Sequence, residues 1–274
     1  MSTTITIREL LGEFVEQVSK DVILPGPVVS QDKPPQPVIY ALPFSMDTLA
    51  LFANNDLLHK AAIDKPASDW GNFQNQTEAL TIRDKDDNIL QSGAALGTGA
   101  NVLHSTELLS AIMMQNGAPM TDANGFPEFD RFPQDKTGGN FPPGVEAYIF
   151  YTGFAVKGAR NYAWNTSLPR SLDAFIGGKT AMFFGYPRDA MTIKERAPKL
   201  DFTVYPLPQI DVTKPANIAL YPVEVVSAQT QHQNEAWDFI QFAAQSEHVQ
   251  SYLAASGRPT ALRSLIAGEL TNAD

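Results

Sequence analysis

The pattern of hydrophobic and polar positions predicts alternating helices and strands. Apolar positions recur with a helical period over Ile7–Ile23 and Asn234–Gln245, and Thr6 and Glu9 have the spacing of a capping box. Short apolar runs of strand length predict strands at Thr180–Phe184, Phe202–Pro208 and Ile218–Ser227. The proline-rich stretch Pro25–Pro37 predicts an irregular loop. This alternation of helices and strands indicates an α/β fold.

The segment Ala174–Arg188 is the strongest candidate for a functional element. A short helix runs into Gly177-Gly178, where glycine is expected to stop it. The apolar strand that follows ends at Gly185 and is followed directly by Tyr186 and Arg188. A buried strand that ends this way would hold two ligand-facing groups rigidly. A core strand followed by an ordinary surface turn explains the same residues equally well.

The stretch Val38–Phe52 contains two strand-like runs on either side of a polar centre, Ser45 and Asp47. Pro43 lies between the runs and argues against one uninterrupted central strand. One interpretation is an edge strand with a kink. The other is a crossover between two lobes, with the polar groups facing a cleft.

Two segments resemble ligand-binding loops but lack essential residues. Arg83–Leu90 is rich in Asp, yet a calcium loop would need glycine where Ile89 stands and an acidic ligand where Ala95 stands, so we predict a hairpin turn. Ser92–Val102 has several glycines but lacks the third glycine of the dinucleotide fingerprint and the Gly-Lys-Ser/Thr ending. It predicts a strand and a tight turn into a helix at Ser105–Asn116, whose first amides could still meet a hydroxyl-rich ligand.

Composition narrows the class of protein. A chain of 274 residues, 43% hydrophobic and 18% charged, is expected to be globular, with one large or two ordinary domains. The net charge of −10 argues against nucleic acid and anionic membranes as partners. The lack of cysteine excludes disulfides, thiolate metal sites and a cysteine nucleophile. Met1–Leu10 has no signal-peptide pattern, which by itself favours the cytoplasm.

Familiar catalytic motifs do not occur. The chain has neither a Gly-x-Ser-x-Gly elbow nor a His-Glu-x-x-His pair. The four histidines stand mostly in polar helical contexts and are predicted to lie on the surface: His59, His104, His232 and His248. No metal and no cofactor is expected. Two carboxylates meeting in a cleft remain open as a hydrolytic site.

Several segments, taken in order, resemble one family. They are Tyr40–Asn54, the following Asn55-Asp56-Leu57-Leu58, Ala174–Gly185, Leu200–Pro208, Glu224–Ser227 and Asn234–Phe242. Together they resemble the extracellular solute-binding proteins of bacterial ABC importers, in the sugar-binding branch that includes maltose-binding protein. The resemblance implies a periplasmic-binding-protein-like fold of two α/β lobes joined by hinge crossovers, with lobe closure around a ligand between them.

The resemblance also implies that this chain is truncated at both ends. Family members begin with a secretion signal and a longer first lobe, so the first lobe here is expected to be incomplete. Residues 1–43 and 217–256 would be the remnant of lobe one, and residues 44–213 and 260–274 would form lobe two. Apolar surface on the Asn234–Gln245 helix would then lie uncovered. An extracytoplasmic location is implied, although this chain shows no signal segment.

The implied function is binding of a sugar or related polyol for delivery to ABC transporter permease subunits. The protein would act as a monomer, without chemistry on the ligand. Sugars need planar polar groups for their hydroxyls and aromatic rings for their C–H faces. The predicted ligand-binding residues are Ser45, Asp47, Tyr186, Arg188, Tyr221 and Glu224, with Thr98, Asn101 and Trp164 as further candidates.

Other interpretations remain open. Asp47 could cap a helix or turn, Tyr221 could pack within a lobe, and Trp164 could belong to a core or an interface. The rival function is a carbohydrate-active hydrolase that uses cleft carboxylates, and turnover of a glycoside would favour it. A plain interaction module is a third possibility, against which saturable binding of a small ligand would count.

Overall fold

The structure is a computed structural model that describes residues 5–28, 34–133 and 139–271. These residues form two compact units. The first unit combines the described residues up to Asp47 with those from Ala219 onward, and the second unit is Thr48–Ile218. The second unit is therefore inserted, in sequence, into the first.

Helices alternate with short strands along the described chain, which confirms the predicted mixed α/β class. The helices are α1 (Ile7–Glu13), α2 (Glu16–Val22), α3 (Asn55–Lys60), α4 (Trp70–Leu80), α5 (Ser105–Gln115), α6 (Pro143–Gly153), α7 (Ser171–Ile176), α8 (Asp189–Arg196), α9 (Gln233–Ala243), α10 (Ser246–Ser256) and α11 (Arg263–Thr271). The strands are β1 (Ile23–Pro25), β2 (Pro37–Ile39), β3 (Ala41–Leu42), β4 (Asp47–Thr48), β5 (Ala50–Asn54), β6 (Ile82–Arg83), β7 (Ile89–Ala94), β8 (Thr180–Gly185), β9 (Phe202–Pro206), β10 (Ala219–Leu220) and β11 (Glu224–Val225).

The second unit is built on a five-stranded sheet in the order β6-β7-β8-β5-β9. Strands β7 and β8 are parallel, and the other neighbours are antiparallel, with Leu51 of β5 paired with Phe184 of β8. Both β5 and β8 are buried at every residue, which explains their nearly continuous apolar sequences. The edge-strand interpretation is therefore wrong for β5, because this strand lies between β8 and β9.

Alternate residues of these central strands build a core on each face of the sheet. Leu51 and Phe184 belong to one apolar cluster, and Phe52 and Phe183 belong to the other. This division follows from the alternation of side chains across a strand. The ring centroids of Phe52 and Phe183 are 4.8 Å apart, and those of Phe175 and Phe183 are also 4.8 Å apart. Burial of each such ring contributes about 1.5–3 kcal/mol, so β8 is firmly held.

The predicted glycine stop before β8 is confirmed. Helix α7 ends at Ile176, and the amide of Gly177 donates to the carbonyl of Asp173 at 2.9 Å. Gly178 has a φ of +66°, in the left-handed region that glycine adopts without a Cβ penalty. The chain therefore turns directly from α7 into the buried strand.

The predicted helix over Ile7–Ile23 is two helices in the structure. The capping box of Thr6 and Glu9 is present, as expected. The helix breaks at Phe14, which has extended backbone angles and forms an isolated bridge with Leu262, while the amide of Val15 donates to the carbonyl of Ala261 at 3.1 Å. The Val15 amide thus bonds to this distant segment instead of continuing the helix, and no local sequence pattern indicates it.

The same contacts decide where the end of the chain belongs. The sequence prediction assigned residues 260–274 to the second lobe, whereas the structure groups the described residues from 260 onward with the first unit. Ala261 and Leu262 are buried in one apolar cluster with Leu10 and Phe14, and the Arg263 Nε donates to the carbonyl of Phe14 at 2.6 Å. Apolar burial against α1 therefore holds this segment in the first unit.

Two further segments differ from the sequence prediction in detail. The strand predicted over Ile218–Ser227 is two short strands, β10 and β11, on either side of Pro222. Proline cannot donate to a ladder, which accounts for the interruption. Residues 83–90 form the predicted hairpin turn between β6 and β7, where the Asp84 carboxylate accepts from the amides of Asp86 and Asn88 at 2.9 and 2.8 Å.

Helix α9 exposes two phenylalanine rings, but Ile240 and Ala244, which belong to the apolar side predicted from the helical period, are buried. Phe239 and Phe242 are 68% and 53% exposed, whereas Ile240 between them is buried. Residues three apart lie on the same side of a helix, so the two rings share one exposed face.

Among the described residues, none lies in a helix long and apolar enough to cross a membrane.

Candidate functional site

The predicted ligand-binding residues are divided between the two units. The second unit contains Thr98, Asn101, Trp164, Tyr186 and Arg188, and the first contains Ser45, Asp47, Tyr221 and Glu224. Within each unit they fall into separate clusters.

The end of β8 places Tyr186 and fixes the turn that follows. A Cβ on Gly185 would lie 2.6 Å from the Asp189 Oδ2 and 3.0 Å from the ring of Phe183, so any larger residue here would displace one or both of these groups. Because Gly185 has no side chain, the Asp189 carboxylate can approach the backbone here, and the amide of Tyr186 donates to Asp189 Oδ2 at 2.8 Å. The local sequence Gly-Tyr-Pro-Arg-Asp thus makes a compact, hydrogen-bonded start to α8.

The Tyr186 ring is surrounded by two basic side chains. His104 meets it edge to face, with ring centroids 4.3 Å apart, and the Arg188 Cζ lies 4.9 Å from the ring centroid. Tyr186 itself is completely buried. The solvent-accessible groups at this point are therefore Arg188 and small parts of His104 and Asp189, whose side chains are 15% and 14% exposed.

His104 is the main residue of this cluster that sequence reasoning missed. It was predicted to lie on the surface with the other histidines, but its side chain is largely buried. Its Nε2 lies 3.8 Å from Asp189 Oδ2, and its Nδ1 lies 3.7 Å from Glu107 Oε1. Burial lowers the pKa of His104, and it outweighs the two nearby carboxylates, which act in the opposite direction. We call His104, Glu107, Tyr186, Arg188 and Asp189 the Tyr186 cluster.

Asn101 brings together the three remaining predicted residues of the second unit. Its Oδ1 accepts from the Thr98 hydroxyl at 2.5 Å and from the Trp164 indole at 3.0 Å. Its Nδ2 donates to the carbonyls of Asn165 and Leu168, both at 2.9 Å. Asn101 therefore ties the loop before α5 to the segment around Trp164, which is fully buried.

In the first unit, Ser45 and Asp47 are both buried, and Asp47 lies near Arg258. Ser45 and Asp47 are 0% and 1% exposed, and the Arg258 Nε is 3.9 Å from Asp47 Oδ2. Within the described residues, the buried Ser45 hydroxyl has no hydrogen-bond partner. The Met46 amide donates to the carbonyl of Pro259 at 3.0 Å, which joins the two segments. Arg258 was not among the predicted residues, and it is 27% exposed.

Tyr221 and Glu224 have different surroundings. The Tyr221 hydroxyl donates to the Asp21 carboxylate, and burial together with this bond raises the pKa of Tyr221. Tyr221 also packs against the apolar cluster of the first unit, as the lobe-packing interpretation expected. Glu224 is exposed and pairs through its backbone with Leu42 of β3.

Cavities also occur away from these clusters. One of about 550 Å³ lies in the first unit, lined by residues that include Ile5, Val38, Trp237 and Gln241. Another, of about 570 Å³, lies in the second unit between α3 and the segment Ala197–Leu200. Neither contains a predicted ligand-binding residue. In the part of the chain that the structure describes, no group of three or more His, Asp or Glu could hold a metal ion.

Comparison with known proteins identifies the family. The family described as bacterial extracellular solute-binding protein matches residues 20–274 of the chain. The chain belongs to this family. The predicted resemblance is thereby confirmed, and the family is one of binding proteins. A comparison with curated protein sequences found no match.

Solved structures of solute-binding proteins share the fold. CpMnBP1 with mannotriose bound is 21% identical, with a TM-score of 0.64, over 91% of this chain and 59% of that chain. UgpB from Mycobacterium tuberculosis in complex with glycerophosphocholine is 17% identical, with a TM-score of 0.68, over 96% of this chain and 61% of that chain. Maltose-bound T. maritima MalE3 is 16% identical, with a TM-score of 0.66, over 96% of this chain and 61% of that chain. The chain thus spans about three fifths of the length of these structures.

Proposed function

We propose that this solute-binding protein binds a sugar or related polyol outside the cytoplasm and delivers it to the permease of an ABC importer. In this proposal the protein acts as a monomer, closes its lobes around the ligand and leaves the ligand chemically unchanged. Membership of the family supports extracytoplasmic solute binding. Two of the three structures described above, CpMnBP1 and MalE3, have a bound sugar, mannotriose and maltose respectively.

The observation that carries the proposal is the Tyr186 cluster. A guanidinium can donate to the hydroxyls of a sugar ring, and a carboxylate can accept from them. Arg188 and Asp189 supply these groups and follow each other in the chain just after the buried strand β8. The completely buried ring of Tyr186 packs against His104 and Arg188, so it supports these two side chains from within the protein.

The other predicted residues are proposed either to contact the ligand or to shape a nearby loop. Ser45 and Asp47 remain proposed ligand contacts, because the unpartnered Ser45 hydroxyl has bonding capacity left. Thr98, Asn101 and Trp164 are proposed to shape the loop before α5, since their polar groups already bond to one another. Tyr221 and Glu224 remain predicted contacts.

The test is a thermal melt of the chain with mannotriose, maltose, D-mannitol and glycerophosphocholine. A ligand present at about 100 times its dissociation constant adds about 2.7 kcal/mol of stability. Replacing Arg188 with Ala should remove the shift. The control is Arg131→Ala, because the Arg131 side chain is 69% exposed and lies outside the Tyr186 cluster. A full shift in the Arg188 variant would remove that residue from the site.

The same samples separate binding from hydrolysis. Chromatography of the oligosaccharides after incubation should recover them unchanged. Release of shorter sugars by the purified protein would favour the hydrolase, and the lack of any shift across the panel would contradict sugar binding.

A further inference from the structure

We propose that His104 is a positioning residue of the Tyr186 cluster, and that it holds Tyr186 and Arg188 in their binding arrangement only as a neutral imidazole. This inference rests on the proposed function and assigns a role to a residue that would not itself be the main ligand contact.

The contacts of His104 connect both halves of the cluster. Its ring packs edge to face with the Tyr186 ring, with centroids 4.3 Å apart, and the Arg188 Cζ lies 4.9 Å from the centroid of the same tyrosine ring. Its Nε2 approaches Asp189 Oδ2, the atom that also accepts the Tyr186 amide at 2.8 Å. One imidazole thus contacts the ring of Tyr186 and the carboxylate that fixes its backbone.

The backbone of His104 supports a specific role. His104 has a φ of +57° at the position before α5, and its side chain does not cap that helix. A positive φ is uncommon outside glycine, although histidine, asparagine and aspartate adopt it more often than other residues. Because the His104 side chain gives no cap, it is free to make the contacts with Tyr186 and Asp189.

Protonation would change the forces on this ring. The charged groups around it are Asp189, Glu107 and Arg188. An imidazolium would be attracted to both carboxylates, would compete with the Tyr186 amide for Asp189, and would be repelled by Arg188. The competition for Asp189 and the repulsion of Arg188 would loosen the arrangement of Tyr186 and Arg188. Burial lowers the pKa of His104, so the neutral form predominates near neutral pH.

The first experiment needs no ligand. Histidine and tyrosine ring signals of the isotopically labelled full chain are followed by NMR from about pH 8 to about pH 5. His104→Asn assigns the His104 signal and tolerates the left-handed backbone, and His59→Gln serves as the control at an exposed histidine. We expect the Tyr186 signals to move with the His104 midpoint, and to stay constant in His104→Asn. Tyr186 signals that ignore the His104 titration would overturn the proposal.

The second experiment measures affinity for the sugar that shifts the melt. Below the His104 midpoint, wild-type affinity should fall by up to about tenfold per pH unit, the limit for one proton. His104→Asn should bind more weakly at neutral pH and lose this dependence, whereas His59→Gln should keep it. A purely structural histidine would lower the affinity of the variant but leave the pH profile unchanged, and that result would refute the positioning role.

The two experiments separate the two proposals. If no sugar binds at any pH, the proposed function fails, and the NMR titration still decides whether His104 controls Tyr186. If a sugar binds but wild type and His104→Asn have the same pH profile, the proposed function stands and the role of His104 fails.

Discussion

Gly185 offers a sharp test of how the Tyr186 cluster is held. In Gly185→Ala, the new methyl group would lie 2.6 Å from Asp189 Oδ2 and 3.0 Å from the Phe183 ring. The carboxylate end can rotate away, but it then leaves the Tyr186 amide without its acceptor, which costs about 1–3 kcal/mol. The packed Phe183 ring cannot move as freely, and overpacking adds about 1 kcal/mol or more. We expect a total loss of about 2–4 kcal/mol.

Denaturant unfolding followed by tryptophan fluorescence measures this loss. The chain has three tryptophans. Replacing Trp237 with Phe leaves Trp70 and Trp164, both of the second unit, as reporters. Gly99→Ala is the matched control, because a Cβ there meets nothing within 4 Å and the effect should stay within about 0.5 kcal/mol.

A double-mutant cycle tests the cause of the loss. If the methyl group acts through the Asp189 carboxylate, Gly185→Ala should cost about 1 kcal/mol less in an Asp189→Ala background than in wild type. Strict additivity of the two changes, or a Gly185→Ala variant as stable as Gly99→Ala, would refute the reasoning.

Three further outcomes are expected. Asn101→Ala should lower the unfolding free energy by about 2–4 kcal/mol, because it leaves the buried Trp164 indole and two backbone carbonyls without a hydrogen-bond partner. Denaturant unfolding measures this loss, and a smaller loss would mean that water replaces the amide. Gly12→Ala should raise stability by about 0.5–1 kcal/mol, because Gly12 lies within α1 and a Cβ there meets nothing within 4 Å; a lower midpoint would contradict this. The pKa of His104 is lower in the folded protein than in the unfolded chain, so on acidification the unfolded chain binds a proton at this histidine first. The unfolding free energy should therefore fall as the pH drops below about 6.5, and it should fall less steeply in His104→Asn.

Local sequence was sufficient for most elements of secondary structure. The capping box at Thr6, the glycine stop before β8 and the hairpin after Arg83 were all predicted, because each depends on residues close together in the chain. The family was also predicted, since its segments occur in a fixed order. The candidate Tyr186 followed from its place directly after a buried strand.

Long-range contacts account for what the sequence did not predict. The break at Phe14 and the placement of Ala261 and Leu262 in the first unit arise from pairing across about 250 positions, which no local pattern specifies. The edge interpretation of β5 failed because strand order depends on tertiary packing.

The candidate site shows the same division. The sequence predicted Tyr186 and Arg188 as site residues from the strand that precedes them, and it predicted Ser45 and Asp47 from a polar centre between apolar runs. It assigned His104 to the surface, because the four histidines stand mostly in polar helical contexts. Only the fold brings His104 within 4.3 Å of Tyr186, through the parallel pairing of β7 with β8 that sets the loop before α5 beside the end of β8. Sequence determines which residues can form a site, and packing of distant segments decides which of them meet.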